Sequence, residues 1–182
     1  NAGVSALIVE DKKGLKKNSL FGLDVKQEQD SIKSFSKKIK IGKKVSNSEF
    51  MIVARIESLI LNKTVSDAYK RAKAYVSAGA DGIMIHSKQK TPEEIFKFSK
   101  IFKKNFPNTP LIAVPSSYNK VTEKQLIDNG FNVVIYANHL LRASYPAMKR
   151  TITSILKNKR SYEIDNELMS IKNILELIPG TK

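Results

Sequence analysis

The sequence predicts an α/β protein built on a parallel sheet, and three observations carry that prediction. Five short aliphatic runs recur along the chain: Val4–Val9, Phe50–Arg55, Ile83–Ile85, Pro110–Val114 and Val133–Tyr136. They read as apolar on both faces, as strands buried between two layers do. Amphipathic helical stretches alternate with them, which is the order of βα units rather than of hairpins. Finally, three glycines (Gly3, Gly79 and Gly130) each stand where a helix stops, a few residues ahead of a strand.

The elements follow in order. Val4–Val9 reads as a buried strand that ends on Glu10. Asp24 to Ile41 is amphipathic, with Ile32, Phe35 and Ile39 on one face. Phe50–Arg55 is the second strand. Thr64 to Ala78 follows as a helix, with Ser66 as its expected cap and Ala68, Ala72 and Val76 at four-residue spacing. The third strand ends at His86, and Thr91-Pro92-Glu93-Glu94 then opens a helix that runs to about Phe106. Pro110–Val114 is the fourth strand, Thr122 to Asn129 a short helix, and Val133–Tyr136 the fifth strand. Leu140 to Lys157 is a longer helix in which Pro146 marks a kink or restart. A polar stretch leads to a last amphipathic helix over Glu167–Ile178.

A closed (β/α)8 barrel takes about 250 residues. Five repeats in 182 residues, beginning inside a unit, fit strands 4–8 of such a TIM-type barrel, and the chain is expected to be a C-terminal portion of something longer. A doubly wound open sheet is the alternative, but no glycine-rich nucleotide loop follows any strand. The expected organisation is barrel over residues 1–157, then a linker and C-terminal helix over 158–182 that packs on the barrel or on a partner subunit.

Composition narrows the chemistry. With 41% hydrophobic and 27% charged residues the chain is an ordinary globular one, and no apolar run reaches the length of a membrane span. A cytoplasmic location is the default expectation. The absence of cysteine excludes disulfides, thiolate metal sites and cysteine nucleophiles. A net charge of +15 admits a polyanionic partner, yet the lysines are spread over the length of the chain at outer helix positions, so nucleic acid is not the expected ligand. A basic surface also draws in small anions.

In parallel barrels the chemistry is built at the C-terminal ends of the strands. Those positions here carry Glu10, then Arg55 and Glu57, then His86, then Ser116 and Asn138. A carboxylate, a guanidinium and an imidazole thus come to one mouth. The run after Glu10, Asp11-Lys12-Lys13-Gly14-Leu15-Lys16-Lys17-Asn18-Ser19, suits a small, highly charged anion held beside a metal; a solvated basic turn is the other reading. One carboxylate is too few to hold Mg2+, so further acidic ligands are expected from outside this chain. His139 is assigned a packing or capping role.

Several segments resemble the phosphoenolpyruvate mutase family, in the superfamily it shares with isocitrate lyase. They are Gly3-Val4-Ser5-Ala6 leading to Glu10-Asp11-Lys12, Lys16-Lys17-Asn18-Ser19-Leu20, Val53-Ala54-Arg55-Ile56-Glu57, Ala78-Gly79-Ala80-Asp81-Gly82, His86-Ser87-Lys88, Tyr136-Ala137-Asn138-His139 and Leu141-Arg142-Ala143-Ser144. The resemblance implies Mg2+-dependent interconversion of phosphoenolpyruvate and phosphonopyruvate, which makes a carbon–phosphorus bond. It implies a homo-oligomer, a dimer or tetramer, whose last helix is exchanged between subunits. By this likeness Glu10 is an outer Mg2+ ligand acting through water, while Asn18, Arg55 and His86 hold the migrating phosphoryl group. Lys16, Ser19 and Leu20 bind substrate from a gating loop. The lyases of the superfamily carry a loop cysteine that this chain lacks. Phosphonopyruvate hydrolase, the nearest alternative, is expected to have threonine where this chain has Asn18. A basic RNA-binding or scaffold module without catalysis is the alternative of another class.

Overall fold

The computed structural model describes residues 3–14, 27–177 and 180, and these form two compact units, residues 1–137 and 138–182. The first unit holds five strands: β1 (Ala6–Glu10), β2 (Met51–Ile56), β3 (Gly82–Ile85), β4 (Leu111–Ala113) and β5 (Val133–Val134). Four helices connect them: α1 (Ile32–Val45), α2 (Val65–Ser77), α3 (Glu93–Asn105) and α4 (Glu123–Asp128). The second unit holds α5 (His139–Asn158), a 3-10 turn (Tyr162–Glu167) and α6 (Ile171–Glu176).

Every strand pair is parallel, and the strands lie side by side in chain order. That order separates the two architectures open from sequence. A doubly wound sheet reverses its strand order at a switch point, which places helices on both faces. Here nothing reverses. All four helices pack on one face, where Phe35, Ile39, Ala68, Ala72, Tyr75, Ile95, Phe98, Phe102 and Leu126 meet Ala54, Ile56, Ile83, Ile85, Leu111 and Ala113. The other face carries a smaller cluster of strand residues alone, Val53, Met84, Ile112 and Val114. Helices outside and side chains inside are the wall of a (β/α)8 barrel, of which this unit is a five-strand arc.

The punctuating glycines do what their positions predict. Gly79, just past α2, has φ +102° and donates its N–H to the Val76 carbonyl at 2.9 Å; Gly130, past α4, has φ +82°. Thr64, Thr122 and Ser170 cap their helices by accepting a backbone N–H. Thr64, not Ser66, is the cap of α2.

Three expectations change. The first helix starts at Ile32 and runs to Val45, because Gln29 and Asp30 are drawn into a buried polar cluster and Ser31 accepts the Ser34 N–H as N-cap. α5 passes through Pro146 as a single helix without a restart. The tail helix is also shorter than expected among the described residues, its start fixed by the Ser170 cap.

Candidate active site

The parallel register decides who meets whom at the mouth. Ile8 pairs with Val53 and Glu10 with Arg55, so both β1 and β2 end with a charged residue on the face that carries Val53 and Met84. Lys12 and Glu57 lie two residues further along, and the same alternation brings them to that side. The four side chains interlock. Arg55 Nη1 lies 3.1 Å from Glu10 Oε1, and Arg55 Nε donates to Glu57 Oε1 at 2.6 Å. Lys12 Nζ lies 2.9 Å from Glu57 Oε2 and 3.6 Å from Glu10 Oε2. Two carboxylates and two cations thus form one compact cluster.

The Glu57 side chain is fully buried. Burial pushes its carboxyl up, but Arg55 and Lys12 outweigh this and hold it below the usual carboxylate range. It is therefore an anion in the folded protein.

His86 follows β3, one step past the last β2–β3 pair, Ile56 and Ile85. It is buried and feels the charges of Arg55, Glu57, Glu10 and Lys12. Burial, then the Arg55 charge, push its imidazole down to about 4, against the partial opposition of Glu57 and Glu10. His86 is thus neutral at pH 7, and its Nδ1 has no hydrogen-bond partner among the described residues. A neutral imidazole in that position can donate one hydrogen bond and accept another.

Behind the mouth lies a second cluster, centred on the fully buried Asp11. Its carboxylate accepts from the Glu57 backbone N–H at 2.9 Å, Gln29 Nε2 at 2.9 Å, Tyr75 Oη at 2.8 Å and Arg71 Nη1 at 3.2 Å. Burial nevertheless pushes its carboxyl up to about 6. Arg71 also donates to the Asp30 carbonyl at 2.8 Å and to Asp67 at 3.0 Å. Backbone bonds from Lys13 N to Glu28 O and from Asp30 N to Asp11 O, each 2.8 Å, bring residues 11–13 alongside residues 28–30.

Of the residues singled out from sequence, Glu10, Arg55 and His86 come to one mouth. Lys16, Asn18, Ser19 and Leu20 lie outside the described residues. Ser116 sits half-buried after β4, its N–H bonded to Val114 O at 2.8 Å. Asn138 belongs to the second unit, where it precedes α5 and makes no side-chain cap. Sequence reading gave neither Lys12 nor Asp11 a role of its own beyond the run that follows Glu10. The period-2 rule, carried past the strand end from Glu10, would have found Lys12; nothing local marks Asp11, whose partners come from three distant segments.

Mg2+ needs several oxygen ligands. No group of three or more His, Asp or Glu able to hold a metal occurs among the described residues. Both Glu10 oxygens face cations, so Glu10 suits a contact through water rather than direct ligation.

The family model for phosphoenolpyruvate phosphomutase matches residues 1–156. The chain is 38% identical to a phosphonopyruvate hydrolase of Variovorax sp. (strain Pal2) over 179 residues, 97% of this chain and 60% of the relative. It is 37% identical to a phosphoenolpyruvate phosphomutase of Tetrahymena pyriformis over 175 residues, 96% of this chain and 57% of the relative. A crystal structure of phosphonopyruvate hydrolase in complex with oxalate and Mg2+ superposes with TM-score 0.82 at 35% identity, over 97% of this chain and 59% of that one.

A five-strand barrel arc with a charged strand-end cluster, matched over almost its whole length by these proteins, defines an α/β-barrel chain of the isocitrate lyase and phosphoenolpyruvate mutase superfamily. Within it, the chain belongs to the phosphoenolpyruvate phosphomutase family. It spans about 60% of the length of the curated relatives it matches.

Proposed function

We propose that the full-length protein is a phosphoenolpyruvate mutase, interconverting phosphoenolpyruvate and phosphonopyruvate with Mg2+, and that this chain supplies the phosphoryl-binding side of the site. The observation that carries the reading is the meeting of Arg55, Glu10 and neutral His86 at one strand-end mouth. In the forward step the bond from phosphorus to the enol oxygen breaks and a bond from phosphorus to the methylene carbon forms, with no atom gained or lost. The moving group carries charge on its outer oxygens and makes few covalent demands, so fixed donors are what the protein must provide. Arg55 supplies a charged fork of N–H groups, and His86 a neutral N–H donor that leaves the total charge unchanged. Asn18 is the third donor in this reading, with Lys16, Ser19 and Leu20 beside the substrate.

The metal would be held mainly by ligands beyond this chain, with Glu10 reaching it through water; when bound, it would neutralise charge on the substrate's carboxylate and enol oxygens. The protein's own task is then to keep water from the phosphoryl group, since water diverts transfer into hydrolysis. The same proposal includes a homo-oligomer whose last helix packs on a partner subunit. The apolar residues that α6 leaves exposed, among them Ile171, Ile174 and Leu175, support it.

Hydrolysis of phosphonopyruvate is the second reading, favoured by the comparable identity to the hydrolase. Asn18 supports the mutase, given threonine as the hydrolase expectation at that place. Phosphorus NMR of the full-length protein with phosphonopyruvate and Mg2+ separates them. The mutase reading expects a phosphoenolpyruvate resonance; inorganic phosphate without it overturns that reading in favour of the hydrolase.

A further inference from the structure

We infer that Glu57 is a positioning residue: its buried carboxylate clamps the Arg55 guanidinium and the Lys12 ammonium into one fixed pose at the mouth, ready for an anionic substrate. The inference rests on reading that mouth as a phosphoryl-transfer site. Its physical basis is on the two carboxylate oxygens, which are divided between the cations: Oε1 accepts from Arg55 Nε at 2.6 Å, and Oε2 lies 2.9 Å from Lys12 Nζ. A guanidinium is planar, so holding its Nε end and plane sets the direction of the whole fork.

The clamp is itself held. The Glu57 N–H donates to Asp11 Oδ1 at 2.9 Å, and the Glu57 carbonyl accepts from Leu61 N–H at 3.0 Å. The Asp11 N–H donates to the Arg55 carbonyl at 3.0 Å, joining the end of β1 to the end of β2. Asp11 is fixed in turn by Arg71 and Tyr75 of α2 and by Gln29. A chain of buried bonds therefore runs from the outer helix layer to the Arg55 guanidinium.

The charges also fit. Among the described residues Glu10 and Glu57 pair with Lys12 and Arg55, so the two cations can stand side by side before any substrate arrives. Donors oriented in advance need no reorganisation during the reaction, and that is where such groups gain their effect. Without Glu57 the Nε end of the guanidinium would lose this acceptor, and the buried carboxylate shared by Arg55 and Lys12 would be gone.

The test uses the full-length protein, its Glu57→Gln and Glu57→Asp variants, and Arg55→Lys to identify the Arg55 Nε–H resonance in 1H–15N spectra. The clamp expects that resonance to be protected from solvent exchange in the wild type and lost to exchange in Glu57→Gln. It expects kcat on phosphonopyruvate to fall about 100-fold, the scale of losing the charge-stabilising donor that Glu57 positions, with KM moving less than about threefold. Glu57→Asp, which keeps the charge but withdraws it by one methylene, should fall between. The clamp is overturned by a natively folded Glu57→Gln (by thermal midpoint and near-ultraviolet dichroism) that keeps the protected signal or turns over within about threefold of wild type. A lowered midpoint with unchanged kcat means a structural role only and overturns it equally. Should Glu57→Gln fail to fold, Glu57→Asp is read by the same criteria. If the wild type turns over neither phosphonopyruvate nor phosphoenolpyruvate, the substrate reading fails, while the exchange of the Arg55 signal still decides the clamp.

Discussion

His86 owes its chemistry to its surroundings. An exposed histidine is partly charged near neutrality, but here burial and the Arg55 cation keep the imidazole neutral down to about 4. The linkage follows directly. The unfolded chain takes up a proton near pH 6.5 and the folded one only near 4, so below 6.5 the unfolded state binds more protons. The contribution to stability is complete above pH 6.5 and is lost as pH falls towards 4, by roughly 3 kcal/mol in all. Thermal unfolding followed from pH 7 to 4 should show a steep loss in the wild type and a shallower one in His86→Asn. Catalysis should meanwhile show no inflection near pH 6.5 attributable to this group; a His86-dependent inflection there would mean that the imidazole is charged in the working enzyme. Glu10, Arg55 and His86 were legible one by one, as polar residues closing apolar strands. The contacts of Lys12 with Glu57 and of Asp11 with Arg71, Tyr75 and Gln29 were not, since they join the segment after β1 to the end of β2, to α2 and to residue 29.

Secondary structure was largely readable because each element carries its own signals: a threonine cap, an apolar stripe, a glycine stop. Gly79 shows how far such a signal reaches. Its φ of +102° is costly for a residue with a Cβ, and an added Cβ would also stand 3.2 Å from Lys43 Cγ. Lys43 is in turn tied to Asp81 at 2.8 Å, at the entry to β3. Gly79→Ala should therefore destabilise by about 1–2 kcal/mol, read from the midpoint of urea unfolding, despite the better helix propensity of alanine. An unchanged midpoint would mean that the turn relaxes freely. The misplaced start of α1 has the opposite origin. Residues before Ile32 suit a helix by pattern, but the buried cluster around Asp11 and Arg71 claims Gln29 and the Asp30 backbone. Tertiary hydrogen bonds overrode local propensity there.

Across the chain, a net charge of +15 admits two uses, a nucleic-acid surface or a field that gathers small anions. The strand-end cluster favours the second. The full-length protein should lose turnover in EDTA and regain it with Mg2+, and Mg2+ should raise its unfolding temperature, as any ligand of the native state does. The opposite pattern, with no response to Mg2+ and a steeply salt-dependent affinity for generic RNA, would point to a basic binding module instead. No helix among the described residues is long and apolar enough to cross a membrane.

The sequence by itself determined the succession of strands and helices, the glycine-marked turns and the polar residues that close each strand, because all of these depend on neighbours a few residues away. Only the tertiary structure decided that the sheet keeps its strand order without reversal and so forms a barrel wall. It alone decided that Glu57 lies between Arg55 and Lys12, and that a carboxylate from the end of β1 holds the end of β2 in place. These are pairings between segments tens of residues apart, and their energies depend on burial and register, which no local window contains.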